Sequence, residues 1–256
     1  MPISLLSTLL PGQLFAPVLV FARVGSALML LPGFGELYVP QRYRLILAVL
    51  LAVVIAPVLS PGLPALPAAP SSLALLLIAE IVIGLFLGTI ARFMLLALET
   101  AGNIISMQLG LSAAQIFNPM LGQQSTLPAT MLSLIGLMVV FATDTHHLLL
   151  RATVDSYGVF AAGRLPAIGD LSDAITRVAA ASFRLGLELA APFLVVGTVF
   201  FAALGVLSRL VPQLQIFFVT LPVQILGGLA VLAATLVAIM SWFMDHFAEA
   251  ALRLVP

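Results

Sequence analysis

A run of 44 residues without a single charge, from Thr100 to Thr143, constrains this chain more than any other feature. Its first part, Gly102–Pro128, holds four Gln, two Asn, three Gly and two Pro, which is not the composition of a membrane helix. Gly and Pro weaken a helix interior, and buried amide groups need hydrogen-bond partners. We therefore predict a loop at about residues 102–126 that lies in a pore or between helices.

The composition of the whole chain indicates a membrane-associated helical protein. Of its 256 residues, 62% are hydrophobic and 8% charged, and the mean hydropathy is +1.23. Soluble domains carry roughly 25% charged residues, so this chain has more apolar surface than a soluble core could hide. A net charge of zero argues against a nucleic-acid partner. The lack of Cys excludes disulfides and thiolate metal ligands.

Several apolar stretches fit a simple membrane span poorly. Arg23, Glu80 and Arg92 lie inside such stretches, and a charge at the bilayer centre costs at least about 2.5 kcal/mol on insertion scales. These side chains are therefore expected to face protein or water. Arginines occur in loops on both sides, so the charge pattern gives no clear orientation. A polar connection is predicted at about residues 144–184. The apolar stretches cover about residues 14–31, 45–59, 73–98, 127–143, 185–207 and 216–243.

Glu80, Gly84, Gly88 and Arg92 recur at intervals of four residues and share one stripe of a predicted helix. Small residues allow another backbone to approach closely, so we predict that this stripe packs against a helix or a subunit. A proton pathway is the alternative use of an intramembrane Glu. Glu80 and Arg92 are roughly 18 Å apart along a helix, so each needs a different partner.

Asp144, His146 and His147 form a polar cluster that resembles a metal site at first sight. Neighbouring residues on a helix point about 100° apart, which predicts that the two imidazoles do not converge on one ion. The cluster is therefore interpreted as a polar helix end at an interface. We expect no metal and no cofactor.

The sequence gives little support for an enzyme or for a transporter. The chain lacks a nucleophile elbow, and it lacks the Lys that a phosphate-binding loop requires. We expect that it is not an enzyme. A small-solute transporter, the alternative of a different class, predicts matching repeats with broken helices, and no such repeat emerges.

Several short motifs, taken in order, resemble the flagellar biosynthetic protein FliR, a family of type III secretion export-gate proteins. The resemblance covers almost the whole chain, and the ordered set is more specific than any single motif. The motifs are Arg23-Val24-Gly25, Leu31-Pro32-Gly33-Phe34-Gly35, Gly110-Leu111-Ser112-Ala113-Ala114, Phe117-Asn118-Pro119, Asp144 with His146-His147, and Gly205-Val206-Leu207-Ser208-Arg209-Leu210-Val211-Pro212-Gln213.

The resemblance implies an all-α, polytopic, membrane-associated protein of helical hairpins that pack in a helical export-gate assembly. The chain would form one domain over residues 1–256, in the bacterial inner membrane within the flagellar basal body. It would assemble with FliP-like and FliQ-like gate subunits and meet FlhB-like and FlhA-like proteins. Unfolded flagellar proteins would pass through the gate as cargo. The injectisome branch of the same family is the alternative.

The resemblance also implies roles for individual residues. The loop at about residues 102–126 would be a plug that closes the pore. Its expected residues are Gly110, Ile116, Phe117, Asn118, Pro119, Met120 and Gly122. A second set is expected to pack helices or subunits together. That set is Arg23, Glu80, Gly84, Gly88, Arg92, Arg209 and Pro212.

Overall fold

The computed structural model describes residues 3–111, 126–210 and 216–253, and every long element within these ranges is an α-helix. This confirms the predicted all-α class. A short 3₁₀ turn at Ser60–Gly62 follows the second helix. The helices are α1 (Ile3–Leu28), α2 (Gln41–Leu59), α3 (Pro70–Gln108), α4 (Leu127–Ala142), α5 (Thr145–Val159), α6 (Ile168–Leu210) and α7 (Ile216–Arg253).

Four of the described helices are long and apolar enough to cross a membrane, which confirms a polytopic architecture. They are α2 with its following turn, α3, α6 and α7. A fifth candidate arises if α4 and α5 together count as one broken span. The 39 residues of α3 and the 43 residues of α6 exceed the roughly 20 residues that a span requires.

The chain divides into two compact units, each built from separate stretches of sequence. The first comprises residues 1–94, 143–179 and 248–256, and the second comprises residues 95–142 and 180–247. The predicted single domain over residues 1–256 stays a prediction.

Alanines let α1 and α2 pack as a hairpin in the first unit. Ala48, Ala52 and Ala56 recur every four residues and are the buried residues of α2. Their small side chains allow a close approach to α1. Larger side chains on α2, such as Val54 and Val58, are exposed. This helix therefore leaves most of its apolar surface to lipid or to another protein.

An apolar cluster holds α3 in place within the same unit. Ile83, Phe86, Leu87 and Ile90 are buried on one face of α3. They contact Phe160, which meets Phe86 edge to face with ring centroids 6.0 Å apart, and the first turns of α6. The predicted polar connection at residues 144–184 is largely helical, and its apolar residues Phe160, Leu171 and Ile175 pack on α3.

The predicted loop at residues 102–126 is wrong at its beginning, because α3 continues as a helix through Gln108. Gly102 does not bend the chain there. It lies directly against the backbone of Ala129 in α4, where a side chain would collide. Ile105 is fully buried and continues the apolar pattern. The neutral composition therefore reflects close helix packing up to Gln108.

Candidate functional site

Arg23 of α1 and Glu80 of α3 form a fully buried ion pair. The Arg23 Nε donates to Glu80 Oε2 at 2.7 Å, and Nη2 donates to Oε1 at 3.2 Å. This two-pronged geometry matches the planar guanidinium to the carboxylate and fixes the direction of both side chains. The pair thereby sets the register of α1 on α3.

α5 and the residue after it supply further hydrogen-bond acceptors to Arg23. Arg23 Nη1 donates to Ser156 Oγ at 3.1 Å, and Nη2 donates to the Phe160 carbonyl at 3.0 Å. The guanidinium carbon lies 3.7 Å from the centroid of the Tyr157 ring, a cation–π distance. All three guanidinium nitrogens of Arg23 therefore contact protein acceptors.

Glu80 accepts a further hydrogen bond from the backbone of the loop after α5. The Gly163 N–H donates to Glu80 Oε1 at 2.8 Å. Gly163 has φ +76° and lies against Leu76, where a side chain would collide. The Arg23–Glu80 pair thus links α1, α3, α5 and the loop after α5. Because Glu80 is buried, ion-paired and hydrogen-bonded within the chain, a packing role is favoured over the proton pathway.

The two glycines of the predicted stripe lie against α1 of the same chain. A Cβ on Gly84 would overlap the Arg23 carbonyl and the Ser26 hydroxyl. A Cβ on Gly88 would come within 2.8 Å of the Ala27 carbonyl oxygen. The described contacts of this stripe are thus made inside the chain, and a role for it between subunits stays a prediction.

Arg92 pairs with Glu36 in the loop between α1 and α2. Arg44 donates to the carbonyl oxygens of Glu36 and Val39, the latter at 3.0 Å. Partial burial, and secondarily the Glu36 carboxylate, raise the pKa of the Tyr38 phenol, whereas Arg92 acts to lower that pKa. These contacts tie the α1–α2 loop to α3.

In the second unit, α3 ends in a glycine cap. We call the uncharged stretch between Gly110 and Thr126 the neutral segment. Gly110 has φ +73°, a conformation that side-chain-bearing residues rarely adopt. The Leu111 N–H donates to the Ser106 carbonyl at 3.1 Å, and the Gly110 N–H donates to the Met107 carbonyl at 3.2 Å. This pattern is a Schellman motif. It fixes the direction in which the chain leaves α3.

Two glycines, one in α6 and one in α7, lie against the last residue of α3 and the residue that follows it. The Gln108 side chain lies against Gly197, and the Leu109 side chain lies against Gly228. Gln224 of α7 donates from Nε2 to the Gln108 carbonyl at 2.7 Å. An open cleft of about 180 Å³ lies beside these residues. The end of α3 is thus held by both neighbouring helices.

The chain returns to α3 at the start of α4. Thr126 Oγ1 donates to Asn103 Oδ1 at 3.0 Å, one turn and a half before the end of α3. The same hydroxyl accepts from the Ala129 N–H at 3.4 Å, in the position of a helix N-cap. We call the group Asn103, Gln108, Gly110, Thr126 and Gln224 the segment base. It fixes both ends of the neutral segment within one unit.

The structure reaches only part of the predicted plug. Gly110 belongs to the segment base, whereas the other six predicted plug residues lie outside the described residues. These are Ile116, Phe117, Asn118, Pro119, Met120 and Gly122. In the packing set, Arg209 is exposed near the end of α6, and Pro212 lies outside the described residues.

The His pair has a geometry that the sequence reasoning did not anticipate. The rings of His146 and His147 have centroids 4.0 Å apart and are tilted by 36°. Ligand atoms of these two residues and Asp144 all lie within 4.8 Å of one another. The premise that neighbouring imidazoles diverge is therefore wrong here. Side-chain rotation brings them together although their Cβ positions differ by about 100° around the helix.

Comparison with known proteins decides the family. Residues 14–250 match the model of bacterial export proteins, family 1. A flagellar biosynthetic protein FliR from Caulobacter vibrioides is 41% identical over 237 residues, which cover 93% of this chain and 94% of the relative. The chain belongs to the FliR family. This confirms the resemblance that the sequence motifs indicated.

Two further relatives are similar over most of their length. The FliR protein of Bacillus subtilis is 33% identical over 81% of both chains. The Yop proteins translocation protein T of Yersinia pestis is 28% identical over 71% of this chain and 69% of the relative. The residues of the buried ion pair and of the segment base all lie within residues 14–250, the range that matches the model of bacterial export proteins, family 1.

Sequence reasoning missed several residues that complete these sites. Glu36, Ser156, Tyr157 and Gly163 surround Arg23, Glu80 or Arg92, and Gln224 holds the end of α3. Glu36, Ser156, Tyr157 and Gly163 lie outside the predicted apolar stretches and give no signal there. Gln224 gives one, as a polar residue within residues 216–243. That signal does not name the partner, because each contact joins distant parts of the chain.

Proposed function

We propose that this chain is a subunit of the flagellar type III protein export gate and that it helps to form and close the channel for unfolded flagellar subunits. The observation that carries the proposal is the 41% identity to a flagellar FliR protein along almost the whole of both chains. Membership of a bacterial export family and several span-length apolar helices support it.

The proposal extends to partners and place. FliP-like and FliQ-like subunits would pack on the exposed apolar faces of α2, α6 and α7, and FlhB-like and FlhA-like proteins would contact the assembled gate. Exposed Val54, Val199 and Val237 illustrate such faces. The assembly would lie in the bacterial inner membrane, within the flagellar basal body. The chain itself would carry out no catalysis.

The neutral segment between Gly110 and Thr126 is proposed to close the channel. A closing element has to pack against varied neighbours and still yield to a passing chain, and a charge-free composition suits both needs. Ile116, Phe117 and Met120 would supply sealing bulk, with Pro119 as a stiff point. The segment base supports this role, because it fixes both ends of the segment.

The injectisome branch is a second candidate, favoured by the similarity to the Yop translocation protein. The higher identity to flagellar relatives favours the flagellar branch.

Deletion of the gene in its own host tests the proposal. Loss of motility and of secreted flagellar subunits, restored by the intact gene, is the expected result. Co-purification of the tagged chain with FliP-like and FliQ-like proteins is expected in addition. Normal motility without the gene, or purification of the chain without these partners, would overturn the proposal.

A further inference from the structure

Three metal-ligating side chains converge at the start of α5. Asp144 precedes the helix, and His146 and His147 lie in its first turn. One ligand atom from each residue lies within 4.8 Å of the other two. His147 Nδ1 is 3.6 Å from Asp144 Oδ1. The three donors therefore lie close enough together for small side-chain rotations to bring them onto one ion.

Two imidazoles and a carboxylate are ligands that late divalent transition metals accept. We propose that Asp144, His146 and His147 form a binding site for such an ion, with Zn²⁺ as the reference case. Zinc–ligand bonds of about 2.0–2.1 Å place two ligand atoms of a tetrahedral ion roughly 3.3 Å apart. The two ligand atoms that are farthest apart, at up to 4.8 Å, therefore have to move closer together by about 1.5 Å. Rotation of Asp144 and His147 supplies this movement, since their side chains are 79% and 67% exposed.

The electrostatic setting makes this a site of moderate affinity. The start of a helix carries a partial positive charge, which disfavours a cation. The Asp144 carboxylate offsets that charge. The next charged residue along α5, Arg151, is paired with Asp155 at 3.3 Å. With three protein ligands, the remaining coordination positions of the ion are open to water.

A Zn²⁺ titration of the full-length chain tests the proposal. The chain carries a purification tag without histidine, is placed in lipid nanodiscs, and is studied by calorimetry. One Zn²⁺ per chain is expected. His147→Asn and Asp144→Asn should each weaken binding by about tenfold or more. His246→Asn is the matched control, since His246 stacks on Trp242 outside this cluster, and its affinity should equal that of the wild type.

A second measurement needs no variant and so avoids any loss of folding. Zn²⁺ should protect His146 and His147 of the unaltered chain from diethyl pyrocarbonate, as read by mass spectrometry, and should leave His246 unprotected. The absence of saturable Zn²⁺ binding, equal protection of all three histidines, or equal affinity of the ligand and control variants would overturn the proposal. The cluster would then be a solvated helix start.

Discussion

Arg23 and Glu80, 57 positions apart in the sequence, form an ion pair whose two side chains are completely excluded from solvent. Removing charges from water costs several kcal/mol per ion, and good geometry with additional hydrogen bonds is needed to offset this cost. Ser156, Phe160 and Gly163 supply those hydrogen bonds. The pair therefore specifies how α1, α3 and α5 meet within their unit.

We predict that removing either partner alone strongly destabilises the protein. Glu80→Gln leaves the Arg23 charge buried without its counterion, and Arg23→Met does the same to Glu80. Each should lower the free energy of unfolding by about 3–5 kcal/mol. The double variant Arg23→Met/Glu80→Met should lower the free energy of unfolding by less than the sum of the two single losses, because it leaves no unpaired buried charge. Denaturant unfolding in detergent micelles measures all three.

Arg184 and Glu188 provide the matched control for that experiment. They form an exposed pair at 2.8 Å along α6, and such pairs contribute about 0.3–0.5 kcal/mol. Arg184→Met should therefore be nearly neutral. Additive losses in the double variant, or single losses as small as that of Arg184→Met, would contradict the role given to the ion pair.

Gly84→Ala should destabilise the protein by about 1–3 kcal/mol, the usual cost of an overpacked interface. The added methyl would overlap the Arg23 carbonyl, which is backbone and cannot rotate away. Gly205→Ala is the control, since Gly205 lies in α6 with open space around it. That change should stabilise the helix by up to about 1 kcal/mol. Thermal unfolding of both variants checks the prediction, and equal effects would refute it.

Gly110 is predicted to tolerate Asn and to reject Val. The left-handed conformation at φ +73° costs a side-chain-bearing residue about 1–2 kcal/mol, and Asn pays least of the non-glycine residues. In the proposed gate, Gly110→Val should misdirect the neutral segment and lower motility, whereas Gly110→Asn should leave swimming close to normal. Swim-plate diameters at equal protein level compare them, and similar diameters would count against the cap.

Much of the fold could be predicted because composition and periodicity are local signals. All seven described helices overlap apolar or polar stretches that the sequence marks. The packing of Gly84 and Gly88 is also visible as a four-residue repeat. The features that the sequence does not predict also have a physical explanation. Gly102 has the composition of a loop residue but serves close packing in α3, and composition does not separate these two uses.

Long-range partners are the part that the sequence does not reveal. The need of Glu80 and Arg92 for separate partners follows from their 12-residue separation, but Arg23 and Glu36 emerge as those partners only when the helices are packed. The convergence of His146 and His147 depends on side-chain rotamers, which a helical-wheel argument ignores. For this reason the sequence wrongly predicts that the two imidazoles diverge.

The role proposed for the neutral segment is to close an export channel. Replacing residues 112–124 with a short Gly-Ser linker keeps Gly110 and Thr126, and therefore the segment base, in place. A scrambled segment of the same composition is the control for length and for assembly, which co-purification of the gate partners monitors.

Ion conductance of cells that assemble the altered gate is the most direct measurement. We predict that the linker variant assembles with its partners and raises membrane conductance above that of the unaltered gate, with slower growth as a result. Normal conductance and growth in cells that contain the fully assembled linker variant would contradict the claim that this segment closes the channel.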